Sequence, residues 1–567
     1  MNIIRDFPLR RSLRDNPGLW GVLIFAGLLR FLFLTIKSPH FDEGVYGFFV
    51  QEIWRRGFFA YDPSNFHGPS YYYAIQFAEQ IFGRGIFAFR FISGVFSLLS
   101  IYYVWRLNKF FGEVAIWAAL ALTVSPAAIF YSRYAMHESL FILLQILFVH
   151  HYFNFKNKPN SSSASGMGIY AALLFATKET TVIFLFCFLV SALLSEILEA
   201  LKTQRSYRAI TQSVYKMIVG ENKENLKWIV LSLVVGFAVL FFFFSGEGAE
   251  PLRFGDFFRA YSFWTKTGTQ HASGHEKPFN YWFILLARYE WPAFIGVLVA
   301  PVLIFIGSKP ARFFGLFALA NLAAYTVIPY KTPWCILGIL WPLYFLTGFA
   351  MVEMRSFKFV QSTALRIEAM TPSVHNRSKF ISGFLTLVLC LISLGMAIRL
   401  NFFHFQDSTE PYVYVQSSHD INAITDILNG RIQKFPEDLN MTILVGMKTT
   451  WPFPWTLANF THVLYREILP DSGAADPIQA LKDQRLLFES ADVIMVDQVD
   501  EPRVEQAIRQ KFQKSRFKLR DSYNPCTIFL NADKFKLSEL AFVQNLSVGG
   551  ETSAMVFSSI DPMGVKP

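Results

Sequence analysis

Long apolar runs recur through the first two-thirds of this chain, and they constrain its fold more than any other feature. A bilayer core asks for roughly 20 apolar residues per helix. Such runs occur at about 18–36, 86–105, 113–131, 138–154, 168–177, 180–198, 228–245, 292–308, 313–329, 334–351 and 380–398. A water-soluble domain has no use for so many. The composition agrees, since 53% of the 567 residues are hydrophobic, 62 of them Phe. The expected fold class is a polytopic α-helical membrane protein with about eleven transmembrane helices. The first run follows Arg5, Arg10, Arg11 and Arg14, as a signal peptide's core would. It is too long for such a core and no small-residue cleavage site follows, so it reads as an uncleaved first span.

The net charge of +10 is spent on orientation. The N-terminal arm, Lys156 with Lys158, the 202–227 loop and the 355–379 loop are all basic. Short basic loops stay in the cytoplasm, which puts the N-terminus inside and the chain after Leu400 outside, in the cell's inner (plasma) membrane. Between Lys158 and Lys202 the chain must then leave the cytoplasm and return. It carries Lys178-Glu179 in the middle of that stretch and reads as a helical hairpin with a charged tip at membrane depth. No Lys/Arg block is long enough to form a nucleic-acid stripe. Four cysteines, three of them in apolar runs, give neither a disulfide framework nor a cysteine metal site.

After residue 400 the apolar runs shorten to strand length, at 442–445, 493–496 and 527–530, separated by polar helical stretches at 418–431 and 501–512. This pattern predicts a small extracytoplasmic α/β domain over 401–545, following a transmembrane domain over 1–400. Residues 546–567 read as a loose tail.

The residues with chemical potential fall in the loops that this topology puts outside. The first reads Ser38-Pro39-His40-Phe41-Asp42-Glu43. Sugar transfer to a hydroxyl needs a base for the acceptor proton and something to manage the leaving phosphate. A carboxylate at the membrane rim suits either task, the second through a divalent cation. The plainer reading is a helix start, with Asp42 as cap and Glu43 complementing the dipole. Further along, His67 is a candidate phosphate donor or carboxylate partner, and the run with Tyr71 and Tyr72 offers faces for a sugar ring; a turn followed by an interfacial aromatic belt explains His67 equally well and Tyr73 better. Arg133 offers a fork matched to phosphate. His137 and Glu138 would complete an oxygen/nitrogen cation set with Asp42, unless Arg133 and Glu138 are a plain rim ion pair. Lys178 and Lys331 are candidates for a lipid phosphate, with Glu179, Tyr330 and Trp334 beside them; for Lys331 snorkelling is the plainer account. The sequence places every such charge cluster towards the outer rim.

At these residues the chain resembles the GT-C superfamily of polytopic glycosyltransferases, which includes protein O-mannosyltransferases and the lipid A aminoarabinose transferase. The resemblance rests on Phe41-Asp42-Glu43 after the first helix, the His67-Gly68-Pro69 turn, Ser132-Arg133 followed by Glu138, and Thr177-Lys178 in a hairpin. Lys178-Glu179-Thr180, Lys331-Thr332-Pro333-Trp334 and Trp451-Pro452-Phe453-Pro454-Trp455 are similar to the prokaryotic flippase-activity-associated branch. The resemblance implies a polyprenyl-phosphate-linked sugar donor, an inverting transfer to an extracytoplasmic glycolipid, polysaccharide or protein, and Asp42 as base. It also implies Arg133, Lys178 or Lys331 near the donor phosphate. The sequence departs from many relatives at Glu138, where Asp is common, and at His67-Gly68-Pro69, where His-Pro-Pro is common. The alternative is a non-catalytic accessory protein or a transporter of lipid-linked sugars, which would need broken helices and charges near the midplane.

Overall fold

The structure, a computed structural model, describes residues 16–64, 67–203, 225–269, 274–356, 377–466, 485–508, 512–520 and 523–535, with a few single residues between. The N-terminal arm, most of the two long basic loops and the tail beyond 545 lie outside the described residues. By internal contacts the chain forms two compact units. One is Met1–Leu34 with Ile53–Phe405; the other is Thr35–Glu52 with Gln406–Pro567. The loop after the first apolar run, with its carboxylate pair, is thus counted with the C-terminal chain rather than with the helices on either side of it.

In the first unit each of the eleven apolar runs falls on helix. These are α1 (Pro17–Phe31), α2 (Ile86–Arg106), the pair α3 (Glu113–Val124) and α4 (Pro126–Ser132), α5 (His137–Asn157), α6 (Ser161–Phe175), α7 (Thr181–Lys202), α8 (Leu226–Phe244), α9 (Trp291–Ile306), α10 (Lys309–Val327), α11 (Ile336–Glu353) and α12 (Arg377–Ile398). Among the described residues five helices are long and apolar enough to cross a membrane, or six if the bent pair α3/α4 counts as one. That is fewer than the eleven expected. Some of the others, such as α6 with 15 residues, are too short, and others carry polar residues, such as Arg312 and Asn321 in α10. The helices Ser70–Phe82 and Tyr281–Tyr289 have no counterpart among the expected spans.

Two breaks shape this unit. At Ser125-Pro126 the chain bends by 58°. Proline cannot continue α3 but suits the first turn of α4, where the Ser125 hydroxyl accepts the Ala128 N–H at 3.2 Å. A second break falls at Glu290, between Tyr281–Tyr289 and α9, just ahead of Pro292. Charged side chains bracket the first break. Arg30 donates to the Leu122 and Thr123 carbonyls, both at 3.1 Å, at the end of α3. The Glu290 carboxylate accepts the Ala127 N–H at 2.8 Å, together with the Ser125 and Tyr344 hydroxyls. Each partner has the sign that its helix end favours, and both are fully buried.

A further network lies where the 156–161 turn, the end of α7 and the start of α10 meet. There Glu196 takes Lys156 at 3.2 Å and Lys309 at 2.7 Å, and Arg312 pairs with Glu199. Elsewhere the helices close on small residues: a Cβ on Gly168 of α6 would lie 2.1 Å from the Ser232 carbonyl of α8. The rest of α8 shows apolar side chains such as Leu233 and Phe237 to its surroundings, as lipid contact requires.

The second unit is built on a five-stranded sheet of β1 (Thr442–Gly446), β2 (His462–Tyr465), β3 (Val493–Asp497), β4 (Phe512–Phe517) and β5 (Cys526–Asn531), in the order β2-β1-β3-β5-β4. β1 is parallel to both β2 and β3; β5 is antiparallel to β3 and β4. The three strands expected from sequence are β1, β3 and β5. β2 and β4 were hidden because they are edge strands with mixed polarity, HVLY and FQKSRF. The helical stretch expected over 501–512 ends at Ala507 and gives way to β4. Alternation splits the core in two. Ile443, Val445, Met495 and Ile528 face the helix α13 (His419–Lys434), while Leu444, Ile494, Val496 and Phe529 pack against Phe488 and Val504 on the opposite face.

Candidate active site

In the helical unit three of the expected segments converge. The His67-Gly68-Pro69 turn lies on the hairpin tip: Ser70 N–H donates to the Ala176 carbonyl at 2.9 Å, and the Ser70 and Thr177 hydroxyls are 2.7 Å apart. A Cβ on Gly68 would stand 2.2 Å from the Ala176 carbonyl, so this close approach requires glycine. The tip residues then turn inward. Lys178 forms an ion pair with Glu138 at the start of α5, and its Nζ lies 3.4 Å from the Cys335 thiol, which also meets the Thr332 hydroxyl at 3.2 Å. Glu179 takes His67 Nδ1 at 3.2 Å. The His137 ring lies 4.6 Å from His67 and 5.0 Å from Tyr71, with Tyr72 edge-on at 5.7 Å.

These side chains are buried except Cys335, which is partly buried, and His67, which keeps 24% of its surface and opens the cluster to solvent. Two carboxylates, an ammonium and two imidazoles share a site that water barely reaches. The pairing keeps them there, because an isolated charge would be costly to bury. An ammonium carries three donors. Lys178 aims them at Glu138 and Cys335, and this geometry can also present a proton to an anionic oxygen.

Three expectations need correction. Arg133, expected at the donor phosphate, is fully buried. Its guanidinium donates to the Leu29, Leu32 and Phe33 carbonyls, at 3.3, 2.5 and 3.0 Å, and stacks 4.7 Å from Phe402. It closes the C-terminal end of α1, where a cation complements unsatisfied carbonyls. Nor do Arg133 and Glu138 pair, since Glu138 is held by Lys178. The cation set Asp42, His137 and Glu138 does not fit a metal ion either. Lys178 already neutralises Glu138, and His137 sits in an aromatic stack.

Lys331 is also buried and donates to the Lys277 carbonyl at 3.2 Å. A 274–278 segment that sequence reading passed over lies along it: Glu276 bridges Tyr330, and the His275 ring is 4.9 Å from the Tyr330 ring. Trp334 packs edge-on to Tyr131 at 6.3 Å. Cys335 and Glu290 were missed as well. Each is a single polar residue in an apolar run, and nothing in the local pattern marks its partners.

In the other unit the carboxylate pair divides its labour. The helix Phe41–Arg56 starts just after His40. The His40 N–H donates to the Glu43 carboxylate at 2.8 Å, and the Asp42 N–H donates to His40 Nδ1 at 3.1 Å. This is a capping box with histidine in the serine position. Because Nδ1 accepts, Nε2 carries the proton and donates it to the Tyr414 carbonyl at 2.7 Å. Glu43, fully buried, is thus the helix cap, while the Asp42 side chain keeps 22% of its surface. The same helix rests on the Trp451-Pro452-Phe453-Pro454-Trp455 segment. A Cβ on Gly44 would lie 2.6 Å from Pro452 Cα, and one on Gly47 would lie 2.2 Å from the Trp455 ring. Trp451 meets Phe41 and Phe48 edge-on at 6.5 and 5.9 Å.

Known proteins can be set beside this geometry. Residues 66–219 match the family described as dolichyl-phosphate-mannose-protein mannosyltransferase. The fold is similar to that of ArnT from Cupriavidus metallidurans bound to undecaprenyl phosphate, at TM-score 0.57 and 14% identity, covering 91% of this chain and 98% of that one. It is also similar to the apo oligosaccharyltransferase of Archaeoglobus fulgidus, at TM-score 0.53 and 12% identity, covering 88% of this chain and 71% of that one. No curated protein matches the chain by sequence. The mannosyltransferase-family match spans the His67–Glu179 cluster, and the chain shares its fold with both of these membrane transferase structures.

Proposed function

We propose that this protein is a membrane glycosyltransferase that moves a sugar, with inversion, from a polyprenyl-phosphate-linked donor to an extracytoplasmic acceptor. The observation that carries this reading is the buried cluster of Lys178, Glu138, Glu179, His67 and His137, all inside the stretch matched by the mannosyltransferase family. In the related fold of ArnT the bound molecule is undecaprenyl phosphate, and a buried ammonium beside a solvent-reached histidine suits such a phosphate.

Lys178 takes the departing phosphate's charge, with Lys331 as a second cation. Asp42 removes the acceptor hydroxyl's proton as that oxygen attacks the anomeric carbon; the bond from carbon to phosphate oxygen breaks and leaves the polyprenyl phosphate. Glu43 and Arg133 serve the reaction by holding helix ends. Tyr71 and Tyr72 keep His137 and the hairpin tip in register.

A non-catalytic transporter is the second reading, and one observation favours it: broken helices bracketed by Arg30 and Glu290. Mass spectrometry of lipid-linked and surface glycans separates the two. A deletion strain is compared with strains that express the wild type or Asp42→Asn at equal level. The glycosyltransferase reading expects the wild type to restore a one-sugar mass step that Asp42→Asn does not. Full restoration by Asp42→Asn would leave Asp42 as part of a helix start and bring the transporter forward.

A further inference from the structure

The sheet of the second unit has a topological switch point. From β1 the chain leaves through Phe453 and Leu457 on the face of α13 and returns as β2. From the adjacent parallel strand β3 it leaves through Val504 on the opposite face towards β4. Connections that part on opposite faces open a crevice at the carboxyl ends of the two strands, and open α/β sheets bind ligands there. Lys448 and Asp497 flank this crevice, with the Lys448 N–H donating to the Asp497 carboxylate at 3.1 Å.

Two further observations give the crevice a ligand class. The first is the charge left over. Asp497 accepts the Lys448 amide, Asp500 pairs with Arg503 at 3.1 Å, and Asp420 accepts the Lys518 N–H at 2.7 Å. The side chains of Lys448 and Arg466, just past the ends of β1 and β2, are exposed; Lys448 lies near enough to Asp500 to favour its charged form, but neither cation closes an ion pair among the described residues. The second is what else reaches this edge. Three residues beyond Lys448, Trp451 packs on Phe41. Thr449 N–H donates to Tyr523, whose ring lies 5.6 Å from the Arg520 guanidinium, and Arg520 lies 5.3 Å over Phe41. The helix start that bears Asp42 therefore abuts the carboxyl edge of the sheet.

We infer that this edge is the acceptor site, and that it takes an anionic saccharide, one bearing a phosphate or carboxylate, which Lys448 and Arg466 bind while Trp451 and Tyr523 offer aromatic faces to the sugar. The inference rests on the reading of Asp42 as base, because it names what Asp42 would deprotonate.

The test measures binding of trehalose 6-phosphate and of trehalose to the full chain in phosphatidylcholine nanodiscs, with undecaprenyl phosphate saturating so that the donor cations are occupied. The phosphorylated sugar is expected to bind at least tenfold more tightly than the neutral one. Lys448→Gln and Arg466→Gln should each lose several-fold, and the double variant should fall to the trehalose level while binding undecaprenyl phosphate as before. Lys434→Gln, at the end of α13 and away from this edge, should change nothing. Phosphatidylinositol in the nanodisc distinguishes the source: Lys448-dependent competition identifies a lipid-borne acceptor, and its absence with binding intact identifies a soluble or polymeric one. Equal affinity for the two sugars, or full affinity in the double variant, would overturn the site. Asp42→Asn should bind trehalose 6-phosphate normally. If it also transfers sugar normally, the base assignment falls and the anion site stands.

Discussion

Lys178 and Glu138 are worth little as a source of stability and a great deal as a constraint. Removing one partner of a buried ion pair strands the other charge and typically costs about 3–5 kcal/mol. Lys178→Met alone is therefore expected to lower the melting temperature, and Lys178→Met with Glu138→Gln to recover most of it. If Lys178 serves the donor phosphate, the stabilised double variant still fails to bind undecaprenyl phosphate; recovery of binding along with stability would make the pair purely structural. Lys178→Ala should also weaken donor binding more than Lys331→Ala, and equal losses would count against a deep phosphate site. Glu43 and Asp42 illustrate the same division between holding and acting: one accepts a backbone N–H and is sealed, and its neighbour keeps a face to solvent.

At the scale of elements, the helix Phe41–Arg56 depends on two glycines. Gly47→Ala puts a methyl into the Trp455 ring and Gly44→Ala puts one into the Pro452 backbone, and overpacking of this kind costs about 1–3 kcal/mol. Because Pro452 offers backbone, which cannot swing aside, Gly44→Ala should impair transfer at least as much as Gly47→Ala. The reverse order would show that the Trp455 side chain is the stricter partner. The sheet has its own charged anchor. Burial works against the charge on Glu501, but the Lys514 ammonium and the Thr527 hydroxyl outweigh it and hold the carboxyl below its usual 4.5. A depressed acid stabilises the fold above its unfolded pKa, and that contribution is lost as pH falls through the folded value. Glu501→Gln should therefore speed hydrogen exchange in β5 at pH 7, and the difference from wild type should shrink below pH 4.5. A difference that persisted in acid would place its origin in packing, not charge.

For the whole molecule, orientation is the open quantity with the widest consequence. The basic loops predict a cytoplasmic N-terminus, and on that expectation an epitope inserted after Leu400 should be reached by antibody on intact cells and one near Gln212 should not. The opposite labelling would place the Lys178 cluster on the cytoplasmic face and remove the extracytoplasmic reaction with it. The two units add a second point at this scale. The loop that carries Asp42 is held by the chain after Gln406, through His40 on Tyr414 and Gln416 on the Ser38 carbonyl at 3.0 Å. The C-terminal unit therefore forms part of the setting of Asp42.

The sequence by itself determined where the long apolar helices form, because a run of apolar residues has few other solutions in a bilayer, but not the helices Ser70–Phe82 and Tyr281–Tyr289. It also determined the strands β1, β3 and β5, whose unbroken apolar runs reflect burial on both faces. It marked Lys178, Glu179, His67 and Glu138 as residues of interest, since charges in apolar surroundings are conspicuous. Which of them pair was decided only by the tertiary structure. Arg133 and Glu138 are five residues apart and do not meet, whereas Glu138 and Lys178 meet across 40 residues. Glu290 lies 163 residues from the Ala127 N–H it accepts, and Arg30 lies 92 and 93 from the carbonyls it takes. The edge strands β2 and β4, and the packing of the Trp451–Trp455 segment on Gly44 and Gly47, follow the same rule. Local patterns record burial and periodicity, but partner choice depends on distances that only the folded chain creates.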